Sequence, residues 1–274
     1  MRATVRFPKK SQTQGLQRIQ STYTVQDIQR QFGLSEGSIR QWTRKGVISA
    51  LPETENGDLR YDFYALTRFR QIRELRNRGM TMRQIELEMQ GQLNLFPEKE
   101  GRLITLPLRR SPFEEALLLH ERGDDMAQEM YQLAIFEDEC VADAYCNLGV
   151  LEFEKNNTPK AFDCFTNALK HDPRHFESHY NLAHIYFEAE DYRLAHFHYE
   201  ISAVLEPNSI SVHFNLGLIY AAKGDLDAAV DELNKAKECS TGEEQVQIEE
   251  MLGSLREAAK HNRQMQDQQE ILPE

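Results

Sequence analysis

The C-terminal half repeats one pattern at a step of 34 residues, and that step restricts what it can fold into. Asn147-Leu148-Gly149 is followed by Asn181-Leu182-Ala183 and then by Asn215-Leu216-Gly217. Ala161, Ala195 and Ala229 keep the same step, as do Ala168, Ser202 and Ala236, and Pro173 and Pro207. A unit of this length is a pair of helices that buries its apolar face only against its neighbours, so such units stack into a solenoid. A solenoid offers a long concave surface and no ready-made catalytic cleft. The question becomes what the chain holds rather than what it converts.

Charge divides the 274 residues in two. Residues 1–110 carry 20 Lys and Arg against 11 Asp and Glu, or +9, while residues 111–274 carry 12 against 33, or −21. A basic first half points to a polyanion partner for that half alone. Cys140, Cys146, Cys164 and Cys239 all lie in the repeat half without CxxC spacing. That pattern favours free thiols in a reducing compartment. No apolar run approaches a membrane span, and residues 1–20 lack a hydrophobic leader. A cytoplasmic protein is expected.

Residues 1–20, with Pro8-Lys9-Lys10, read as a flexible basic arm. Thr24 is an N-cap residue, and Val25, Ile28 and Phe32 share one helical face that Gly33 ends. Ser35 caps a second helix, containing Ile39, Trp42 and Thr43, that stops at Gly46. Two short helices with a glycine turn between them predict a helix-turn-helix. The extended run 47–52, the turn Asn56-Gly57 and the return at Leu59-Arg60-Tyr61 predict a hairpin wing. A third helix over 64–78 carries Leu66, Phe69, Ile72 and Leu75; a fourth opens at Thr81 with Ile85 and Met89.

The runs Tyr23-Thr24-Val25, Phe32-Gly33-Leu34-Ser35, Ile39 to Ile48, Arg60-Tyr61 and Gly79-Met80-Thr81 resemble the winged helix-turn-helix of the MerR family of bacterial transcription regulators. The resemblance covers residues 21–92. It implies that the second helix enters the major groove of duplex DNA and the wing rides on phosphates. By this likeness Arg40, Gln41, Arg44 and Lys45 are the expected contacts of the second helix, Arg60 and Tyr61 those of the wing, and Trp42 a core aromatic. Arg68, Arg70, Arg73, Arg76 and Arg78 give the third helix a basic face, mostly solvated charge, of which one or two are candidates to meet DNA. The long dimerisation helix usual in the family is broken here by Pro97, Gly101, Pro107 and Pro112. A homodimer would need another surface. No Cys precedes Cys140, so the metal-sensing branch of the family is a poor guide.

Residues 93–111 form a linker, whose apolar string Leu103 to Leu108 either packs on its own domain or adds as a strand to a partner. Residues 112–262 resemble tetratricopeptide repeats. Tyr145, Leu148, Gly149, Ala161, Phe165, Ala168 and Pro173 fall at that family's marked positions, and the next two units keep the register. Residues 112–139 read as a degenerate first unit, 245–262 as a closing helix and 263–274 as a disordered tail. The fold class is therefore mainly α: a winged helix-turn-helix followed by an α-solenoid.

In the tetratricopeptide family the first helix of each pair lines the concave face. By resemblance the groove is lined by Cys146, Asn147 and Val150, then Tyr180, Asn181, His184 and Phe187, then Phe214, Asn215 and Leu218. Aromatic lining suits an extended peptide or a partner helix. None of these positions is basic, which argues against a carboxylate-binding groove. His175 and His179 have a spacing that a metal could use, but packing histidines are the expectation, with no metal and no cofactor. No phosphate loop, nucleophile elbow or supported Cys–His pair is present, and no enzyme activity is expected.

These readings converge on a DNA-binding regulator that contacts duplex DNA through 21–92 and a protein or peptide through 112–262. The alternatives are an interaction scaffold and an architectural or recombination-accessory protein built on the same winged domain. The opposite charges of the halves also suggest that the repeats cover the basic domain until a partner binds.

Overall fold

The computed structural model describes residues 15–51, 58–93, 110–240 and 242–270. The expected Asn56-Gly57 turn, the 103–108 string, and residues 1–14 and 271–274 lie outside the described residues. Two compact units are present: one runs Ile19–Ala144, and the other joins the segment ending at Arg18 to everything from Tyr145 onward.

In the first unit, strand β1 (Thr22–Thr24) leads straight into helix α1 (Val25–Phe32). Thr24 and Asp27 form a capping box. The Thr24 hydroxyl oxygen accepts the Asp27 N–H, and the Asp27 carboxylate accepts the Thr24 N–H at 2.8 Å. Gly33 closes α1 in the left-handed region at φ 60°. Helix α2 (Glu36–Arg44) follows, then strand β2 (Arg60–Asp62), α3 (Phe63–Asn77) and α4 (Met82–Leu93). Ile28, Ile39, Trp42, Tyr61, Leu66, Phe69, Ile72, Ile85 and Met89 are all fully buried in one cluster.

The predicted wing is described in part, and its second strand has a further partner. Its second strand is present as β2, but β2 pairs with β1, antiparallel, with Tyr23 opposite Tyr61. Among the described residues no strand is assigned over 47–51, which is tied to β2 by the Leu51 N–H to Arg60 carbonyl bond at 2.8 Å. Val47 and Ile48 are buried at 1% exposure and face the core.

Helices α5 (Pro112–Glu121) and α6 (Met126–Phe136), the expected degenerate first repeat, belong to this same unit. Phe63 meets Phe113 edge-on at 5.1 Å, and Phe113 contacts Tyr131 at 6.0 Å. The Ser21 N–H and hydroxyl both donate to the Glu121 carboxylate, at 2.9 and 2.7 Å. Glu139 accepts the Phe113 N–H at 3.2 Å. Each buried aromatic removes apolar surface worth about 1.5–3 kcal/mol.

The second unit stacks α7 (Val141–Glu154), α8 (Thr158–His171), α9 (Phe176–Glu188), α10 (Tyr192–Leu205), α11 (Ile210–Lys223) and α12 (Leu226–Cys239). The recurring small residues are where paired helices touch. A methyl on Gly149 would lie 2.6 Å from the Phe165 ring, and one on Gly217 would lie 2.8 Å from Leu233. Helix α13 (Glu243–Glu270) closes the stack through Ile248, Leu252 and Leu255. It continues past the expected end at 262, into the stretch read as a disordered tail.

Candidate functional site

Helix α2 separates its faces cleanly. The Ser35 hydroxyl oxygen accepts the Ser38 N–H and fixes where the helix begins. Ile39 and Trp42 then point into the core with no exposure, so Arg40, Gln41 and Arg44 are left outside. Gly46, at φ 68°, turns the chain back toward buried Val47 and Ile48.

The expected contacts differ in their freedom. The Arg40 Nε–H donates to Glu36 at 2.7 Å, with both side chains about half exposed. An ion pair this exposed is screened by solvent and weak, so a phosphate or a guanine edge can displace it. Arg44 is exposed and only brushes the Arg40 carbonyl at 3.4 Å. Lys45 is more committed, since both Glu86 oxygens take its ammonium at 2.7 Å. Arg60 is exposed on β2.

Tyr61 must be withdrawn from the contact set. Its ring is fully buried, edge-on to Phe69 at 5.2 Å, and its hydroxyl pairs with Thr43 at 2.8 Å. Burial pushes its pKa up, against the Thr43 hydrogen bond and the nearby Arg40 charge. It locks β2 to α2. The basic face of α3 is also partly structural. Arg68 donates to the Val47 carbonyl at 3.3 Å. Arg73 donates to the Gln31 carbonyl at 3.4 Å and lies over the Phe32 ring.

In the repeats, Asn147, Asn181 and Asn215 sit on α7, α9 and α11 at one step, each buried. Asn181 holds a stretch of main chain. Its Oδ1 accepts the Gln17 N–H at 2.7 Å and its Nδ2 donates to the Gln17 carbonyl at 2.8 Å. Leu16 packs on the cluster of Cys146, Val150, Leu182 and Ile185. Asn215 Nδ2 donates to the Tyr180 hydroxyl at 3.0 Å, while Asn215 Oδ1 is buried with no partner among the described residues. Burial pushes the Tyr180 phenol up to about 12, although Asn215, Ser211 and Gln17 hydrogen bonds pull the other way.

Phe214, Phe187 and His184, also expected to line the groove, make packing contacts. Phe214 joins the α13 cluster, and Phe187 meets Tyr192 edge-on at 5.6 Å. His184 is buried against Phe153, with Glu188 at 3.7 Å, and burial lowers its pKa. His175 caps α9, its Nδ1 accepting the Ser178 N–H at 3.2 Å. Among the described residues no cluster of three or more His, Cys, Asp or Glu could hold a metal. No described helix is long and apolar enough to cross a membrane.

Of the stretch 1–20 read as a flexible basic arm, Leu16 and Gln17 pack on the repeats and Ile19 is buried, while 1–14 lie outside the described residues. The only apolar marks of this packing are Leu16 and Ile19 within polar sequence, too few for periodicity to register.

A family model described as MerR HTH family regulatory protein matches residues 23–92, and two tetratricopeptide-repeat models match 142–175 and 180–244. The chain joins a MerR-type helix-turn-helix domain to tetratricopeptide repeats. Two solved structures are similar. The crystal structure of MamA is 16% identical, spanning 54% of this chain and 96% of that one at a TM-score of 0.42. The first tetratricopeptide domain of Spaghetti (RPAP3), bound to an HSP90 peptide, is 19% identical, spanning 43% and 93% at 0.40. No curated protein matches the chain. Within the MerR-type domain, α1 and α2 are the helix-turn-helix. Within the tetratricopeptide repeats, α7, α9 and α11 are the first helices of three successive pairs.

Proposed function

We propose that this protein is a sequence-specific, cytoplasmic DNA-binding regulator whose repeats hold an extended segment of a protein partner. The observation that carries the reading is the face of α2. A capped helix, inside the stretch matched by the MerR model, turns Arg40, Gln41 and Arg44 outward while its apolar side is buried. Such a helix fits the major groove, where an Arg can bond a guanine edge in bidentate fashion. Arg60 supplies a phosphate contact from β2, and any homodimer uses a surface outside the family's usual helix. Neither domain type is typically catalytic, and the reading assigns no enzyme activity.

The test is selection of bound sequences from a random duplex pool by the full chain and by its Arg40→Ala variant. One enriched motif, weakened or lost in the variant, is expected. Loss of one bidentate contact should cost about 1–3 kcal/mol. No enrichment by the intact chain sinks the reading.

A second reading, an interaction scaffold, is favoured by one observation: Lys45 is held by Glu86 and Arg40 by Glu36, so two cations of the face are already matched. Salt separates the two. A DNA binder loses affinity log-linearly as salt rises, by about 0.9 in slope per phosphate contact.

A further inference from the structure

The groove of the tetratricopeptide repeats is not empty. Three features of residues 15–18 are those of a bound ligand rather than a passing loop. The Gln17 main chain makes two hydrogen bonds to one buried side chain, Asn181. The preceding side chain, Leu16, packs on the apolar cluster that α7, α8 and α9 share. The Gln17 amide group also lies among the hydrogen-bonding neighbours of Tyr180. The contact joins positions 164 apart, so local chain stiffness does not enforce it.

We infer that residues 15–18 are an intramolecular ligand of the repeat groove, and that an external partner segment must compete with them for Asn181. The inference rests on the reading of the groove as a peptide site and names its resident occupant. The amide of Asn181 reads only backbone, which any extended residue except proline can offer. Selectivity then comes from the neighbours. The self-ligand pattern is Leu16, Gln17, Arg18, and a basic residue suits a half that carries −21. The competitor is therefore an extended peptide with an apolar residue before the gripped position and a basic one after it.

Covalent attachment sets the terms of the competition. A tethered segment acts at an effective concentration set by what joins it to its site, here the unit Ile19–Ala144. The resident occupant therefore weakens an external peptide without preventing its binding. Displacement frees the residues that run directly into Ile19 and β1.

The experiment uses the full chain. Hydrogen exchange at the Gln17 amide is measured in the intact protein and in Asn181→Ala. A fluorescent synthetic peptide of residues 12–20 is then titrated into the intact protein and into Gln17→Pro, which removes the donated N–H without changing any residue of the repeats. We expect a protected Gln17 amide that loses protection in Asn181→Ala. We also expect the peptide to bind Gln17→Pro about tenfold or more tightly than the intact chain. Exchange at the free-peptide rate in the intact chain overturns the inference. So does equal binding to both chains, and so does no binding to Gln17→Pro, since the segment would then have no affinity of its own. Failure to enrich any duplex would remove the regulator reading and leave these results standing.

Discussion

Single residues separate contact from scaffold on the MerR-type domain. Arg60 is exposed, whereas Tyr61 beside it is buried against Phe69 and bonded to Thr43. Arg60→Ala should lower the slope of log affinity against log salt by about 1 without changing stability. Tyr61→Phe should leave that slope alone and cost about 1 kcal/mol of stability, read by urea melting. A changed slope in Tyr61→Phe would return the phenol to the DNA surface. The histidines of α9 and α10 are also structural. His179 Nε2–H donates to the Pro173 carbonyl at 3.1 Å, so its Nδ1 must accept from His198 Nδ1–H at 3.0 Å. Burial first, and the His179 charge second, bring the His198 pKa down from 6.5 to about 4. The unfolded chain therefore binds more protons between those values. The contribution of this group is present above about 6.5 and is lost as pH falls toward about 4. His198→Gln keeps a donor for His179, and it should flatten the fall in Tm between pH 7 and 5. An unchanged fall would assign the acid sensitivity to other groups.

At the scale of elements, the helices were legible because their signals are local. Thr24 with Asp27, Ser35, Gly33 and the 34-residue step each act within a turn or one repeat. The sheet was not legible, since β1 is three residues long and its partner lies across two helices. Nothing local distinguishes Thr22-Tyr23-Thr24 from coil, and the Asn-Gly hairpin signal speaks only to the side of β2 that bonds Leu51, not to its pairing with β1. The row of Asn positions is legible in the sequence, but the Gln17–Asn181 pairing is not, because an Asn–backbone bond leaves no mark in the sequence of the segment it grips. Small residues were read correctly as helix contacts, and this can be measured. Gly149→Ala drives a methyl into the Phe165 ring, which is a rigid neighbour. The cost should be about 1–3 kcal/mol in denaturant melts. A neutral outcome would mean that α7 and α8 slide apart freely.

At the scale of the molecule, compactness does not respect the boundary between sequence families. The first helix pair, α5 and α6, packs with the MerR-type domain through Phe63, Phe113 and the Ser21–Glu121 bonds. A fragment ending at 110 would lose Phe113 and leave Phe63 without its partner, a loss comparable to a Phe→Ala change in a core, about 3–5 kcal/mol. A fragment of residues 15–144 should melt cooperatively and at a higher temperature than one of residues 15–110. Equal melting temperatures would show the helix pair to be a passenger. The bond between Gln17 and Asn181 also has a consequence in time. Synthesis at about 5–20 residues per second places Asn181 roughly ten to thirty seconds behind Gln17. For that interval the earliest-made described segment has no seat. Once α9 folds, the first backbone that Asn181 meets is one already attached to it, so on the proposal above any outside peptide arrives second.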